Sequence, residues 1–334
     1  MNADAVTDSG IWFRVEAGSA ASAVRRAAER LGAQVQMGEA RIADLAIVAA
    51  ELTSNLVKHA DEGVLLLRPV RRAGQAGVEL IAIDSGPGMA DLTVSSQDGH
   101  STTGTLGIGL GAIVRQASWF DGYSLPGRGP SSPCRSGRRS RAAVLGRRPH
   151  PPDHRRNGQR RRVRGPGRRR AAPAAGQRWP GARPAGQRRN KRRWPRSGRP
   201  AGPPASVVGH LHRSMSHTRG AALAVAELVP EAGVLHYAGL GNISGVVVEG
   251  RPPPGLVSLP GIAGHQRPTI REYDYPFGPG ARLVMHSDGV VDRWRLADYP
   301  GLAERSPLVM ASTLLRDAGV RRDDACVLVA RSWE

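Results

Sequence analysis

The chain has 334 residues, 40% of them hydrophobic and only 4% aromatic, with a formal net charge of +20. That length allows two domains with real cores. No apolar run is long enough to cross a bilayer, and Met1-Asn-Ala-Asp-Ala-Val-Thr-Asp8 lacks the basic and apolar regions of a signal peptide, so a cytoplasmic protein with no membrane partner is expected. Cys134 and Cys326 are too few and too far apart in sequence for a disulfide framework or a zinc site.

Between Ala40 and Ala60, Leu45, Val48, Leu52 and Leu56 recur at helical spacing, which predicts a helix with one face turned to a core. Glu51 and Asn55 lie four apart and share a face beside that stripe. A carboxylate and a carboxamide placed so can orient a water and hold a hard cation through oxygen, as Mg²⁺ on a triphosphate requires. Taken alone the pattern is also that of a solvated polar face.

Val78-Glu-Leu-Ile-Ala-Ile83 then reads as a strand, with Asp84 at its end before Ser-Gly-Pro-Gly88. A carboxylate there can accept from an exocyclic amine such as that of adenine, while Gly86 and Gly88 let backbone approach a flat base. Next, Gly104-Thr-Leu-Gly-Ile-Gly-Leu-Gly111 runs into Ala112-Ile-Val-Arg-Gln-Ala117, predicted to be a helix whose free N–H groups suit phosphates.

Glu51/Asn55, Asp84-Ser-Gly-Pro-Gly-Met89 and Thr105-Leu-Gly-Ile-Gly-Leu110, in that order, resemble the N, G1 and G2 boxes of the Bergerat-type (GHKL) ATPases. Within that fold they are most similar to the serine-protein kinases of the anti-sigma-factor type. The resemblance covers about the first 125 residues. It implies ATP with Mg²⁺ as cofactor, Asn55 holding the Mg²⁺ and Glu51 acting as general base. Asp84, with Gly86 and Gly88, would read adenine, and Thr105, Gly107, Gly109 and Leu110 would wrap the phosphates.

The net charge belongs to one segment. Residues 128 to 200 hold 25 Lys and Arg, 24 of them Arg, against the single acid Asp153, so the remainder carries 23 basic and 27 acidic residues. From Gly127 to Ser206 the only Val, Leu, Ile, Met or Phe are Val144, Leu145 and Val163, too few for a packed core. Two readings stand: a disordered Arg-rich arm binding nucleic acid through phosphates, with Trp179 and Trp194 for stacking, or a stretch translated out of frame in a GC-rich gene.

Ordinary pattern returns at Val207. Ala221–Leu228, Gly233–Gly239, Ser244–Glu249, Ala281–His286 and Ala325–Ala330 read as strands, and Ser306–Arg316 as a helix. Thr218-Arg-Gly-Ala-Ala222, Gly239-Leu-Gly-Asn-Ile243, His286-Ser-Asp-Gly289 and Arg322-Asp-Asp-Ala325 resemble the C-terminal half of the metal-dependent serine phosphatases of the stage II sporulation protein E type. The resemblance implies Asp288 and Asp323 as metal positions for Mn²⁺ or Mg²⁺. The Gly-Asp-Ala and Asp-Gly-x-Gly-His-Gly stretches that supply the other carboxylates in such enzymes do not occur here. Two aspartates are too little charge for two divalent ions.

The expected organisation is therefore an α/β sandwich over 1–128, a disordered Arg-rich insert over 129–206 and a partial phosphatase fold, a β-sandwich flanked by helices, over 207–334. The strand pattern of the first unit is expected to stop at Pro130, leaving an exposed sheet edge. The resemblances imply a regulator of a sigma-factor partner switch, a serine kinase acting on an anti-sigma-factor antagonist or a binder of a sigma-type factor, fused to a phosphatase domain inactive as it stands. The rivals are an ATP-dependent binding module without turnover, an active metal-dependent phosphatase, and a nucleic-acid binder through the Arg-rich segment alone.

Overall fold

The computed structural model describes residues 10–16, 18–72, 75–89, 108–137, 175–178, 202–248, 255–265, 268–319 and 324–331. Its N-terminal part begins with β1 (Ile11–Arg14), α1 (Ala20–Gln34) and α2 (Glu39–His59), followed by the hairpin β2 (Val64–Arg72) and β3 (Gln75–Ile83). After the undescribed stretch come α3 (Ile108–Gln116), β4 (Trp119–Phe120), β5 (Tyr123–Leu125) and β6 (Arg128–Gly137). These strands form an antiparallel sheet in the order β1-β2-β3-β6-β4, with β5 also on β6.

Alternation along β2 and β3 gives the sheet two apolar faces. Leu65, Leu67, Val78 and Leu80 point to one side, where Leu45, Val48 and Leu52 of α2 and Ile113 of α3 close the core. Val64, Leu66, Ile81 and Ile83 form the other face and pack with Trp12, Trp119 and Leu308. A sheet covered on both faces is stabilised by roughly 1.5–3 kcal/mol for each large side chain removed from water.

The expectation that strand structure stops at Pro130 is corrected. Strand β6 runs along β3 from Ser131 opposite Ile83 to Gly137 opposite Gly77, so the β3 edge is covered. Its residues have low strand propensity, and pairing rather than propensity places them. The buried Glu79 carboxylate is held by Arg68 at 2.5 Å and by Arg135 of β6 at 2.5 Å, while Arg135 stacks 4.6 Å from the Trp119 ring centre. A buried carboxylate between two guanidiniums costs several kcal/mol if either partner is lost, so the triad fixes the register of β2, β3 and β6.

The C-terminal part contains α4 (Pro204–Ser214), β8 (Leu223–Val229), β9 (Val234–Leu240), β10 (Ser244–Val248), β11 (Ser258–Leu259), β12 (Tyr273–Pro276), β13 (Arg282–His286), α5 (Pro307–Ala318) and β14 (Cys326–Arg331). One sheet runs β10-β13-β14 and continues to β7 (Ala175–Arg178); the other runs β11-β9-β12, with β8 on β9. They face each other across Leu235, Tyr237, Val247, Phe277, Leu283 and Met285. Helix α4 covers β8 and β9 through Val208, Ala238 and Leu240. This is the expected sandwich flanked by helices.

Helix α5 is buried continuously from Leu308 to Arg316, a pattern that demands neighbours on both sides. One side lies on β14, where Val309 and Leu314 share a core cluster with Val284, Val327 and Val329. The other lies on β3 and β6 of the first sheet, with Ser312 Oγ bonded to Ser131 Oγ. Around that contact Tyr123 donates to Pro300 O at 3.0 Å, Ser306 N donates to Asp121 Oδ2 at 2.9 Å, and Arg128 lies 3.8 Å from the Asp317 carboxylate.

Candidate functional site

Helix α2 carries Glu51 and Asn55, both half-buried, beside Leu52 and Leu56, which are buried in the core. The C-terminal turn of the same helix meets the loop after β3. Ser85 N donates to Asp61 O at 3.0 Å, and a side chain at Gly86 would meet His59 O at 2.6 Å. Asn55 lies one helical turn before His59, so α2 and the Asp84 loop form two walls of one site.

Asp84 is only 5% exposed. Its Oδ1 accepts from Gly86 N at 2.8 Å and its backbone N donates to Pro130 O at 3.3 Å. Burial pushes the carboxyl up to about 6; the Gly86 N–H and the nearby Arg316 charge pull it back and Asp61 adds to the rise. Gly88 has φ +71°, and a side chain there would sit 2.1 Å from Leu125 O, so the turn needs glycine both for conformation and for space. Met89 N to Ser124 Oγ at 2.7 Å and Gly127 N to Pro87 O at 2.8 Å clamp the turn onto the β5–β6 connection.

Of the glycine-rich loop, Thr105 and Gly107 lie outside the described residues. Gly109 is in the first turn of α3 and Leu110 packs against the main core, so this helix starts beside α2. Free N–H groups at that start are the donors a phosphate chain needs. Two contributors escaped sequence reasoning. Asp61 anchors the loop through its backbone, and Arg316 of α5 reaches the neighbourhood of Asp84 from more than two hundred positions away; only the β6–α5 contact could reveal it.

In the C-terminal part Asp288 follows β13 and is exposed, with its Oδ2 accepting from Asn242 Nδ2. The turn it sits on is locked. Cys326 N donates to Ser287 Oγ at 3.0 Å, Ser287 Oγ donates to Asp324 O at 3.1 Å, and a side chain at Gly289 would meet Asp324 O at 2.5 Å. Asp323 lies outside the described residues. Asp288, Asn242, Asp292 and Ser258 line a cleft of about 640 Å³. Asp292 is 3.2 Å from His286 Nε2. Among the described residues no group of three metal-type donors surrounds Asp288, so the described donors alone do not make a two-ion centre.

Residues 13–118 match the model of the histidine kinase-like ATPase domain, and residues 192–333 match that of stage II sporulation protein E. Serine/threonine-protein kinase RsbT of Bacillus subtilis (strain 168) is 31% identical over 107 residues, a stretch that takes in 32% of this chain and 80% of the relative. The chain belongs to the histidine kinase-like ATPase family, joined to a stage II sporulation protein E domain. Among solved structures, a chain from a study of the bacterial stressosome as a modular system adapted to control secondary messenger signalling has a TM-score of 0.35 and 26% identity, covering 38% of this chain and 67% of that one. The structure of RsbX in complex with magnesium has a TM-score of 0.31 and 15% identity, covering 37% of this chain and 62% of the other.

The family membership brings ATP and a divalent ion in general, and the three family-type boxes read from sequence fall within or beside the matched region. No described helix is long and apolar enough to cross a membrane.

Proposed function

We propose that this chain is a cytoplasmic ATP·Mg²⁺-dependent serine kinase of a sigma-factor partner switch, acting on an anti-sigma-factor antagonist. The observation that carries the reading is the seating of the Asp84 turn against the end of α2, the helix that bears Glu51 and Asn55. The identity to a serine/threonine-protein kinase over the same region supports it.

When bound, ATP·Mg²⁺ supplies the phosphoryl group. Asp84, which is largely shielded from solvent, would accept from the exocyclic amine of the base. Gly86 and Gly88 let the turn close against α2 and the β5–β6 connection, which sets the Asp84 carboxylate in place. Asn55 would hold Mg²⁺, and the backbone N–H groups around Thr105, Gly107, Gly109 and Leu110 would receive phosphate oxygens. Glu51 takes the proton of the partner's serine hydroxyl as that oxygen forms its bond to phosphorus and the bond to the departing nucleotide breaks.

The C-terminal domain acts in this reading as a docking and scaffolding element without phosphatase activity, because Asp288 and Asp323 alone do not offset the repulsion of two divalent ions. The division into a kinase-like unit, an Arg-rich segment and a phosphatase-like unit, with the out-of-frame origin of that segment, belongs to the same proposal, with β6 and α4 running across the expected boundaries at 128/129 and 206/207. Nucleic acid is not a partner in this reading, except through the Arg-rich segment.

Titration of the full chain with ATP and Mg²⁺, followed by phosphoryl transfer to a serine-bearing antagonist, tests the proposal. Glu51→Ala is expected to keep ATP binding and lose about 10²–10⁴ in transfer, the range for removing a positioned base. Asn55→Ala is expected to lower both. Wild-type transfer by Glu51→Ala would leave Glu51 a structural residue and not the base, and ATP binding with no transfer by the wild type would favour the binding-only module.

A further inference from the structure

Strand β9 places His236 opposite Glu227 of β8 on one side and opposite Asp274 of β12 on the other. Residues directly opposite in antiparallel pairs project from the same face of the sheet. Glu272 stands just before β12 and brings its carboxylate to the same group. Three carboxylates and one imidazole thus share the face on which α4 lies. The donor atoms of His236, Glu272 and Asp274 all lie within 4.8 Å of one another.

The surroundings hold this group in place. His236 Nδ1 is 2.6 Å from Asp274 Oδ1. Glu272 Oε2 accepts from Ala205 N at 3.0 Å, in the first turn of α4, whose N-cap Pro203 offers no side-chain acceptor. Even with a protonated imidazole, three carboxylates leave the cluster two charges negative, and a cation relieves that repulsion. One imidazole nitrogen with carboxylate oxygens is a mixed donor set that suits zinc-type ions, whereas Mg²⁺ and Ca²⁺ prefer oxygen alone.

We propose that His236, Glu272 and Asp274 form a binding site for a zinc-type divalent ion that clips β9, β12 and the start of α4 together. Metal bonds of about 2.0–2.2 Å in a tetrahedron separate donor atoms by roughly 3.4 Å, so small rotations of half-exposed side chains complete the site. The Glu227 carboxylate or a water takes the fourth position. The ion replaces the proton between His236 and Asp274, and that proton is released to solvent. The site shares no residue with the Asp288 cleft or the Asp84 pocket.

The test uses the full chain, stripped with a chelator, and Zn²⁺ alone as the probe. Calorimetry is expected to show one saturable site whose binding releases a proton, with thermal unfolding shifted up by a few degrees at saturation. His236→Ala and Asp274→Asn are expected to weaken binding by more than about tenfold. X-ray absorption of the zinc-loaded wild type is expected to show imidazole nitrogen and carboxylate oxygen around the ion. Absence of saturable binding, affinity unchanged in both His236→Ala and Asp274→Asn, or sulfur in the shell would overturn the proposal. The absorption measurement decides the matter even if a variant fails to fold.

Discussion

Asp84 and Asp288 occupy the same local position in two parts of the molecule, each just after a strand and each one or two residues before a glycine that has no room for a side chain. Their environments differ. Asp84 is 5% exposed, its carboxyl raised to about 6 by burial and its loop fastened to α2 and to the β5–β6 connection. Asp288 is open to solvent with Asn242 as its partner. A strand–Asp–Gly pattern therefore specifies a turn, and the walls brought to that turn by the rest of the chain specify whether it reads a ligand.

The comparison makes its largest demand on Asp84→Asn. Loss of a charged acceptor is worth about 1.5–3 kcal/mol, or roughly 10- to 150-fold in ATP affinity. Because the variant removes a carboxylate whose ionisation burial opposes, its thermal stability is expected to hold or rise. Asp288→Asn is expected to leave ATP affinity untouched and to change stability by no more than about 0.5 kcal/mol. Equal ATP affinities for wild type and Asp84→Asn would remove the distinction between the two turns.

Gly88→Ala and Gly289→Ala sharpen the point by acting alike. Each puts a methyl within 2.1 Å or 2.5 Å of a carbonyl oxygen, and Gly88 also has a left-handed backbone. Both are expected to lose about 1–3 kcal/mol in denaturant unfolding. Unchanged midpoints would show that these turns are looser than their contacts imply.

The smallest effect comes from the His236–Asp274 pair. The hydrogen bond to Asp274, with nearby carboxylates, raises the imidazole above its usual value. A raised value in the folded state means the contribution is complete below about 6.5 and disappears as pH rises through the folded value. For so exposed a pair it is about 0.2–1 kcal/mol. With chelator present, the unfolding midpoints of wild type and Asp274→Asn are expected to differ at pH 5.5 and converge at alkaline pH; a constant difference would deny the pair its charge.

Much of this architecture is legible in the residues. The stripe Leu45, Val48, Leu52, Leu56 marks α2, the run Val78–Ile83 marks β3, and Ser306 stands where it caps α5, accepting from Val309 N at 3.4 Å. Strand β6 is illegible because Gly, Pro and Ser carry no strand signal, and its place depends on the Glu79–Arg135 pair and on Cys134 entering the core. Helix α4 hides behind Pro203, Pro204 and Gly209. At the sites, Glu51 and Asn55 are readable from helical spacing and Asp84 from the strand end. The meeting of Asn242 with Asp288, and of His236 with Glu272 and Asp274, depends on register between distant strands, which spacing along the chain does not encode.

The central claim is that Asp84 is a buried, ionisable reader of the nucleotide base. ATP·Mg²⁺ affinity of the full chain, measured from pH 5 to pH 8 beside that of GTP and of Asp84→Asn, tests it directly. The account predicts that wild-type affinity for ATP exceeds that for GTP and falls as pH drops through about 6, while the variant binds weakly with no such pH dependence. A wild type that binds ATP and GTP equally, with no change across this range and no loss in the variant, would contradict it.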